Sequence, residues 1–215
     1  MKIGILGTGD VGSALAKGFA ALGNRVMIGS RDPDQDKVKA IIREIGGDAS
    51  TGTLPDAAKF CEIAVLATSW SGTENAIKMA DPVNLSGKTV IDVTNPLDFS
   101  GGQPRLALGN TDSGGEQVQR WLPSSNVVKA FNIIGNAHMF MPIFLDGSPD
   151  MFICGNDGQS KSDVTKILHD FGWDSVIDIG DIKGSRLLEP LAMLWITYGA
   201  RTNSWGHAFK LLYKK

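Results

Sequence analysis

The stretch KIGILGTGDVGSALAKGFAALG, residues 2–23, decides the fold. Residues 2–7 form a short β-branched run, the pattern of a buried strand. Val11, Leu15, Phe19 and Leu22 then recur at near-helical spacing, and Gly23 supplies a stop. Between strand and helix stand Gly7, Gly9 and Gly12 as G-x-G-x-x-G. The first glycine makes a tight turn. The second lets a pyrophosphate approach the backbone, and the third lets helix and strand pack closely. Free N–H groups at the helix start hold phosphates. A strand before and a helix after are the context that makes this motif a dinucleotide site rather than a plain turn.

The next apolar run, RVMIGS (25–30), reads as a second strand. In an NAD site an acidic residue near its end receives the ribose hydroxyls. Here the strand ends in Ser30-Arg31, with Asp32 and Asp34 only later in the turn. A guanidinium offers a flat donor fork to phosphate, and a small hydroxyl can add a hydrogen bond. The pair predicts NADP, through its 2'-phosphate.

Working outward, strands are predicted at 62–68, 88–95, 126–134, 150–155 and 174–181. Helices are predicted at 35–46, 72–80, 116–122 and 160–172, followed by an apolar, helix-like tail over 185–213 with breaks or kinks at Pro190 and Gly199. Alternating strands and helices mean an α/β fold with a mostly parallel, doubly wound sheet. Residues 98–115 form a long Gly/Ser/Asp stretch, and Ser113 and Glu116 have capping-box spacing for the helix that follows. A soft boundary near 125 divides the chain into a nucleotide-binding part, 1–125, and a small C-terminal α/β extension, 126–215.

A chain of 215 residues with net charge −2 has no excess of Lys and Arg. That argues against nucleic acid or an anionic membrane as partner. No apolar run reaches the length of a membrane span, and the short N-terminal run breaks at once into Gly-Thr-Gly, unlike a signal peptide. A cytoplasmic location is expected. Cys61 and Cys154 are isolated in apolar stretches and are expected to be buried; they form neither a disulfide framework nor a metal site.

Ligands of open α/β sheets sit at the carboxyl ends of strands. Three further strand ends suit the pocket: Thr68-Ser69-Trp70, the Asn95-Pro96 turn, and the segment AFNIIGNAH at 130–138. No catalytic acid or base stands out. His138 is the one histidine near these strand ends, while His169 and His207 fall on predicted helices. Hydride transfer to a flavin-like ring tolerates that absence, because the two rings carry the chemistry. An alcohol or imine substrate needs a proton donor.

The segments ILGTGDVG, IGSRDP, AVLATSW, DVTNPLDFSGG, VVKAFNIIGNAHM, ICGND and GSRLLEPLAMLW resemble the NADPH-dependent reductases of the deazaflavin coenzyme F-420 (F420). The chain is also similar to the cytosolic oxidoreductase domain of six-transmembrane metalloreductases. The resemblance implies a Rossmann domain for NADP and a C-terminal part that helps form the cleft for the second ring. It places Thr8, Gly9, Asp10 and Val11 on the pyrophosphate and Ser30 and Arg31 on the 2'-phosphate. It puts Thr68, Ser69, Trp70, Asn136 and Ala137 beside the nicotinamide. Two places depart from the deazaflavin reductases: Thr68-Ser69-Trp70 replaces an apolar-Pro-Trp turn, and Phe131-Asn132 replaces Leu-His. The segment KAFN is closer to the metalloreductase domain, which takes ordinary flavin (FMN or FAD). The expectation is a hydride transfer between NADPH and a deazaflavin or flavin. Rival readings are a reductase of a small carbonyl or imine compound and an NADP-binding module without turnover. The apolar tail, with Leu187, Leu188, Leu191, Leu194 and Trp195, is either core or a face for a homodimer.

Overall fold

Alternate residues of the central strands face opposite ways, and both faces are apolar. Ile3, Ile5, Val65, Ile91 and Val128 enter one core; Leu6, Ala64, Leu66, Val90 and Val127 enter the other. A sheet buried on both sides must be covered by helices on both sides, and the computed structural model, which describes residues 1–214, has that arrangement. In chain order the elements are β1 (Lys2–Leu6), α1 (Asp10–Ala21), β2 (Arg25–Ser30), α2 (Asp36–Ile45), β3 (Ser50–Thr53) and α3 (Leu54–Phe60). There follow β4 (Ile63–Leu66), α4 (Trp70–Ala80), β5 (Thr89–Asp92), β6 (Leu97–Asp98), β7 (Arg105–Leu106) and α5 (Gly114–Trp121). The last are β8 (Asn126–Lys129), β9 (Asp150–Gly155), α6 (Gly158–Asp170), β10 (Ser175–Asp178) and α7 (Ser185–Thr202).

Eight strands form one sheet in the order β10-β9-β8-β5-β4-β1-β2-β3. The six from β3 to β8 are parallel and carry the doubly wound order, reversing direction between β1 and β4. β9 pairs antiparallel with β8, and β10 runs parallel to β9. The sheet therefore continues across residue 125 without a break.

Several elements differ from the sequence expectations. β3 and α3 were not anticipated. β3 is the edge strand Ser-Thr-Gly-Thr, which has no apolar alternation to read. α3 is only seven residues long, yet it carries a readable start: Thr53 and Asp56 form a full capping box with Pro in the first turn. The stretch expected to be irregular from residue 98 is part of the small hairpin β6–β7, Leu97 pairing with Leu106 and Asp98 with Arg105. β8 stops at Lys129, not 134, because the chain turns there and Phe131 takes a φ of 60°. α7 passes through both Pro190 and Gly199 and ends at Thr202, where Asn203 adopts the left-handed conformation. Pro190 is the sixth residue of the helix, so the Arg186 carbonyl lacks its helical N–H donor. The tail 203–213 is not helical: Trp205 lies over Gly199, whose absent side chain would come within 2.6 Å of that ring, and Asp150 N–H donates to the Phe209 carbonyl at 2.9 Å. His207 is thus on this tail and not on a helix. Cys61 and Cys154 are both buried, and burial pushes the Cys154 thiol up to about 11. On α7, Leu188 and Trp195 belong to the core, whereas Leu187 and Leu194 are exposed.

Candidate functional site: a groove along the carboxyl edge of the sheet

The groove begins where β1 ends. Gly7 has φ 132°, and a Cβ there would lie 2.2 Å from the Ala67 carbonyl oxygen of the neighbouring strand end. A Cβ on Gly12 would lie 2.6 Å from the Gly7 carbonyl oxygen, so only glycine lets α1 start this close to β1. Beside Gly9 there is open space. α1 has no side-chain cap, and its first helical bond runs from Ser13 N–H to Gly9 O at 2.9 Å. The N–H groups before it are left for an anion. A cavity of about 530 Å³ opens there, walled by Gly7, Thr8 and Gly9 together with Thr68 and Ser69. Ser69 opens α4, also without a side-chain cap, so a second helix start faces the same space. These observations fit a pyrophosphate.

The far end of this cavity holds the β2 tip. The Ser30 hydroxyl donates to Asp32 O at 3.0 Å and accepts from Asp32 N–H at 3.1 Å. Its proton is engaged in the turn, so Ser30 sets the direction of Arg31 more than it offers a donor of its own. Arg31 is exposed on the cavity wall and makes no ion pair among the described residues. The same holds for Lys37 at the start of α2, which sequence reading missed because no motif marks it. Asp34 pairs with Lys39, away from them. Two unpaired cations at the place where an NAD site has a carboxylate fit a 2'-phosphate.

A second cavity, about 610 Å³, shares Gly9, Thr68 and Ser69 with the first. Asp10, Val11, Trp70, Asn95 and Asn136 line it, as do Leu97 and Phe99 of the hairpin region. Trp70 stacks on Trp121 at 5.6 Å. The Asn95 amide donates to Asn132 O at 2.8 Å and accepts from Asn132 Nδ2 at 3.0 Å, so its orientation is fixed. The other Asn132 N–H reaches Leu188 O on α7 at 3.0 Å. Two predicted residues do not reach a cavity wall: Gly12 packs under Gly7, and Pro96 is buried beneath the turn with its carbonyl accepting from Ala107 N–H at 2.7 Å. Phe99 rides on a pinned base. Ser100 and Arg105 both bind the Asp98 carboxylate and hold its pKa down at about 2.

A third cavity of about 460 Å³ shares Val11 and Asn136 with the second. Its walls are Ile134, Ala137, His138, Trp195, Trp205 and Gly206. Trp195 and His207 lock the tail: Trp195 Nε1 donates to His207 O at 2.7 Å, and His207 Nε2 lies 3.0 Å from Trp195 O. Trp205 and Gly206 were invisible to sequence reading, because the tail reads as helix and gives no sign of folding back.

Beneath the groove lies a buried charge cluster. Lys129 Nζ sits 2.8 Å from Asp92, 3.0 Å from Glu189 and 2.8 Å from Thr94 O, and all three side chains are essentially inaccessible. Burial alone would lower the Lys129 pKa; the two carboxylates outweigh it and hold the group above its ordinary value. Glu189 also accepts from Gly114 and Gly115 N–H, both at 2.9 Å, capping α5. One ammonium thus ties β5, β8, α5 and α7 together just behind Thr94 and Asn95.

The sheet order, the glycine turn at its switch point and the two cations on the cavity wall define a Rossmann-type dinucleotide-binding domain. Residues 2–96 match the family model described as NADP oxidoreductase coenzyme F420-dependent. An F420-dependent NADP reductase of Methanocaldococcus jannaschii is 32% identical over 98% of this chain and 98% of its own. A protein from Arthrobacter sp. FB24, solved as a candidate F420-dependent NADP reductase, superposes with a TM-score of 0.94 at 36% identity, covering 99% of this chain and 100% of that one. The rat metalloreductase STEAP3 is 28% identical over 90% of this chain, which spans 37% of that longer protein. The chain belongs to the family of F420-dependent NADP reductases. Among the described residues no helix is long and apolar enough to cross a membrane, and no group of three or more metal-ligating side chains comes together.

Proposed function

We propose that this protein transfers a hydride between NADP(H) and the deazaflavin coenzyme F420. The observation that carries the reading is the continuity of the three cavities through shared walls, from two free cations at one end to an aromatic-lined slot at the other. When bound, NADPH supplies the hydride and the acceptor ring receives it. The chain's own residues bind and orient. Gly7, Thr8, Gly9 and the amides of Asp10 and Val11 receive the pyrophosphate; Arg31, on the turn set by Ser30, and Lys37, at the start of α2, receive the 2'-phosphate. Thr68, Ser69, Trp70, Asn95, Asn136 and Ala137 border the nicotinamide. The Asn132 clamp and the buried Lys129 cluster hold that border still, which would fix the position of a ring bound against it. Ile134, Trp195 and Trp205 exclude water from one side of the rings.

Ordinary flavin is the second reading, favoured by the similarity to a metalloreductase and by Phe131-Asn132 at the departure from the deazaflavin pattern. Anaerobic oxidation of NADPH, followed by absorbance with F420, FMN, FAD and a panel of carbonyl and imine compounds, tests both. F420 reduction with NADPH preferred over NADH is expected. Turnover of a carbonyl or imine alone, or tight NADP binding with no acceptor reduced, would overturn the proposal.

A further inference from the structure

The chain has three histidines, and two of them are committed to backbone carbonyls. His169 Nδ1 lies 2.8 Å from Trp173 O, and His207 Nε2 lies 3.0 Å from Trp195 O. His138 is different. Its imidazole makes no hydrogen bond among the described residues, is half-buried, and lines the third cavity. A short 3-10 turn, Asn136–His138, holds its backbone, with His138 N–H donating to Gly135 O at 2.9 Å. The ring leans on Phe144 at 5.0 Å. Nε2 lies 3.9 Å from where a Cβ on Gly206 would sit, an ordinary contact distance, and Gly206 lines the same cavity.

The rest of the cavity wall is neutral: Val11, Ile134, Asn136, Trp195 and Trp205 carry no charge. Titratable groups on the elements around it are Asp10, which lines the adjoining cavity, and His207, stacked on Trp195 with Tyr198 against it. His138 is therefore the one proton-exchanging side chain on the wall of the third cavity, next to Val11 and Asn136, which border the second.

We propose that His138 is a catalytic residue, the general acid for the acceptor ring, a role that rests on the hydride-transfer reading above. Hydride arrival places an electron pair on the acceptor, and that charge appears on a conjugated ring nitrogen. The His138 imidazolium gives its N–H proton to that nitrogen, forming one N–H bond as the other breaks. The sum is NADPH, acceptor and one proton going to NADP⁺ and reduced acceptor. The neutral imidazole then regains a proton from water, which its half-exposed position permits. In the reverse direction the same nitrogen acts as base. Imidazole suits this exchange because a ring nitrogen can give up a proton and take it back.

The test uses the whole chain with H138Q and H138A, and the wild type labelled for imidazole NMR. In both variants NADPH affinity stays within about twofold, while kcat for acceptor reduction at pH 7 falls about a hundredfold or more. The alkaline limb of the wild-type kcat profile, where the acid loses its proton, disappears, and added imidazole restores part of the H138A rate. Independently of turnover, the His138 imidazole signals of the wild type shift when oxidised acceptor joins NADP⁺ in a non-reacting complex, and the His169 signals do not. If the wild type reduces F420 or flavin and the variants keep both rate and alkaline limb, His138 is not the acid, and the hydride-transfer reading stands. If the wild type reduces neither, that reading falls and the role of His138 falls with it.

Discussion

Replacing Arg31 should change which nicotinamide coenzyme this protein prefers. Arg31 and Lys37 are the cations on the wall of the first cavity beside the β2 tip, and neither is paired among the described residues. A hydrogen bond to a charged group contributes about 1.5–3 kcal/mol. Both side chains are exposed, so solvent screening favours the lower end. Arg31→Ala should therefore cost about 1.5–2 kcal/mol of NADPH binding, roughly 10- to 30-fold in Kd at about 1.4 kcal/mol per tenfold. Arg31→Asp adds repulsion and should approach a hundredfold. NADH has no 2'-phosphate, so its Kd should move by less than about twofold. Lys37→Ala should add a smaller loss, since a lysine is a point charge and not a fork. Raising salt should erode the wild-type preference, because exposed charges are screened over about 8 Å at physiological ionic strength. Fluorescence or calorimetric titration of both coenzymes against each variant is the assay. If NADPH and NADH weaken together, or the Arg31/Lys37 double variant keeps its preference, the cations do not read the phosphate.

Three further outcomes follow from the geometry. Gly7→Ala puts a side chain at φ 132° and 2.2 Å from a backbone oxygen, so it should lower the unfolding free energy by at least the roughly 1–3 kcal/mol typical of such strain and abolish NADP protection against heat; a stable variant with normal binding would contradict the cradle. Lys129→Met strands Asp92 and Glu189 in the core and should cost about 3–5 kcal/mol in urea denaturation; a cost below about 1 kcal/mol would mean that water reaches the cluster. The Arg186 guanidinium at 2.5–2.8 Å lowers the pKa of Glu116. A lowered folded-state value gives stability that is present at neutral pH and lost as acid protonates the carboxylate. Glu116→Gln should therefore be less stable than wild type at pH 7, with the gap closing below about pH 4.3, the ordinary glutamate value; a gap that is flat with pH would remove the ion pair from the account.

Much of the sheet was written in local pattern. Each of β1, β2, β4, β5, β8 and β9 is a short apolar run between turn residues, and the helices between them repeat at helical spacing. The glycine turn was equally legible, because Gly7, Gly9 and Gly12 lie within one strand-turn-helix unit. The edge strand β3 escaped because an edge strand needs no apolar face, and α3 because seven residues hold too few turns to show a period.

By itself, then, the sequence determined the doubly wound fold, the glycine turn after β1 and the charge at the β2 tip, since each depends on residues close together in the chain. Tertiary structure alone decided the rest. It turned the Asn95 amide toward Asn132, and buried Lys129 between carboxylates 37 and 60 residues away. It also folded the tail back, so that Trp205 and Gly206 wall the cavity holding His138. These placements come from packing between distant segments, whose free energy no local pattern of residues encodes.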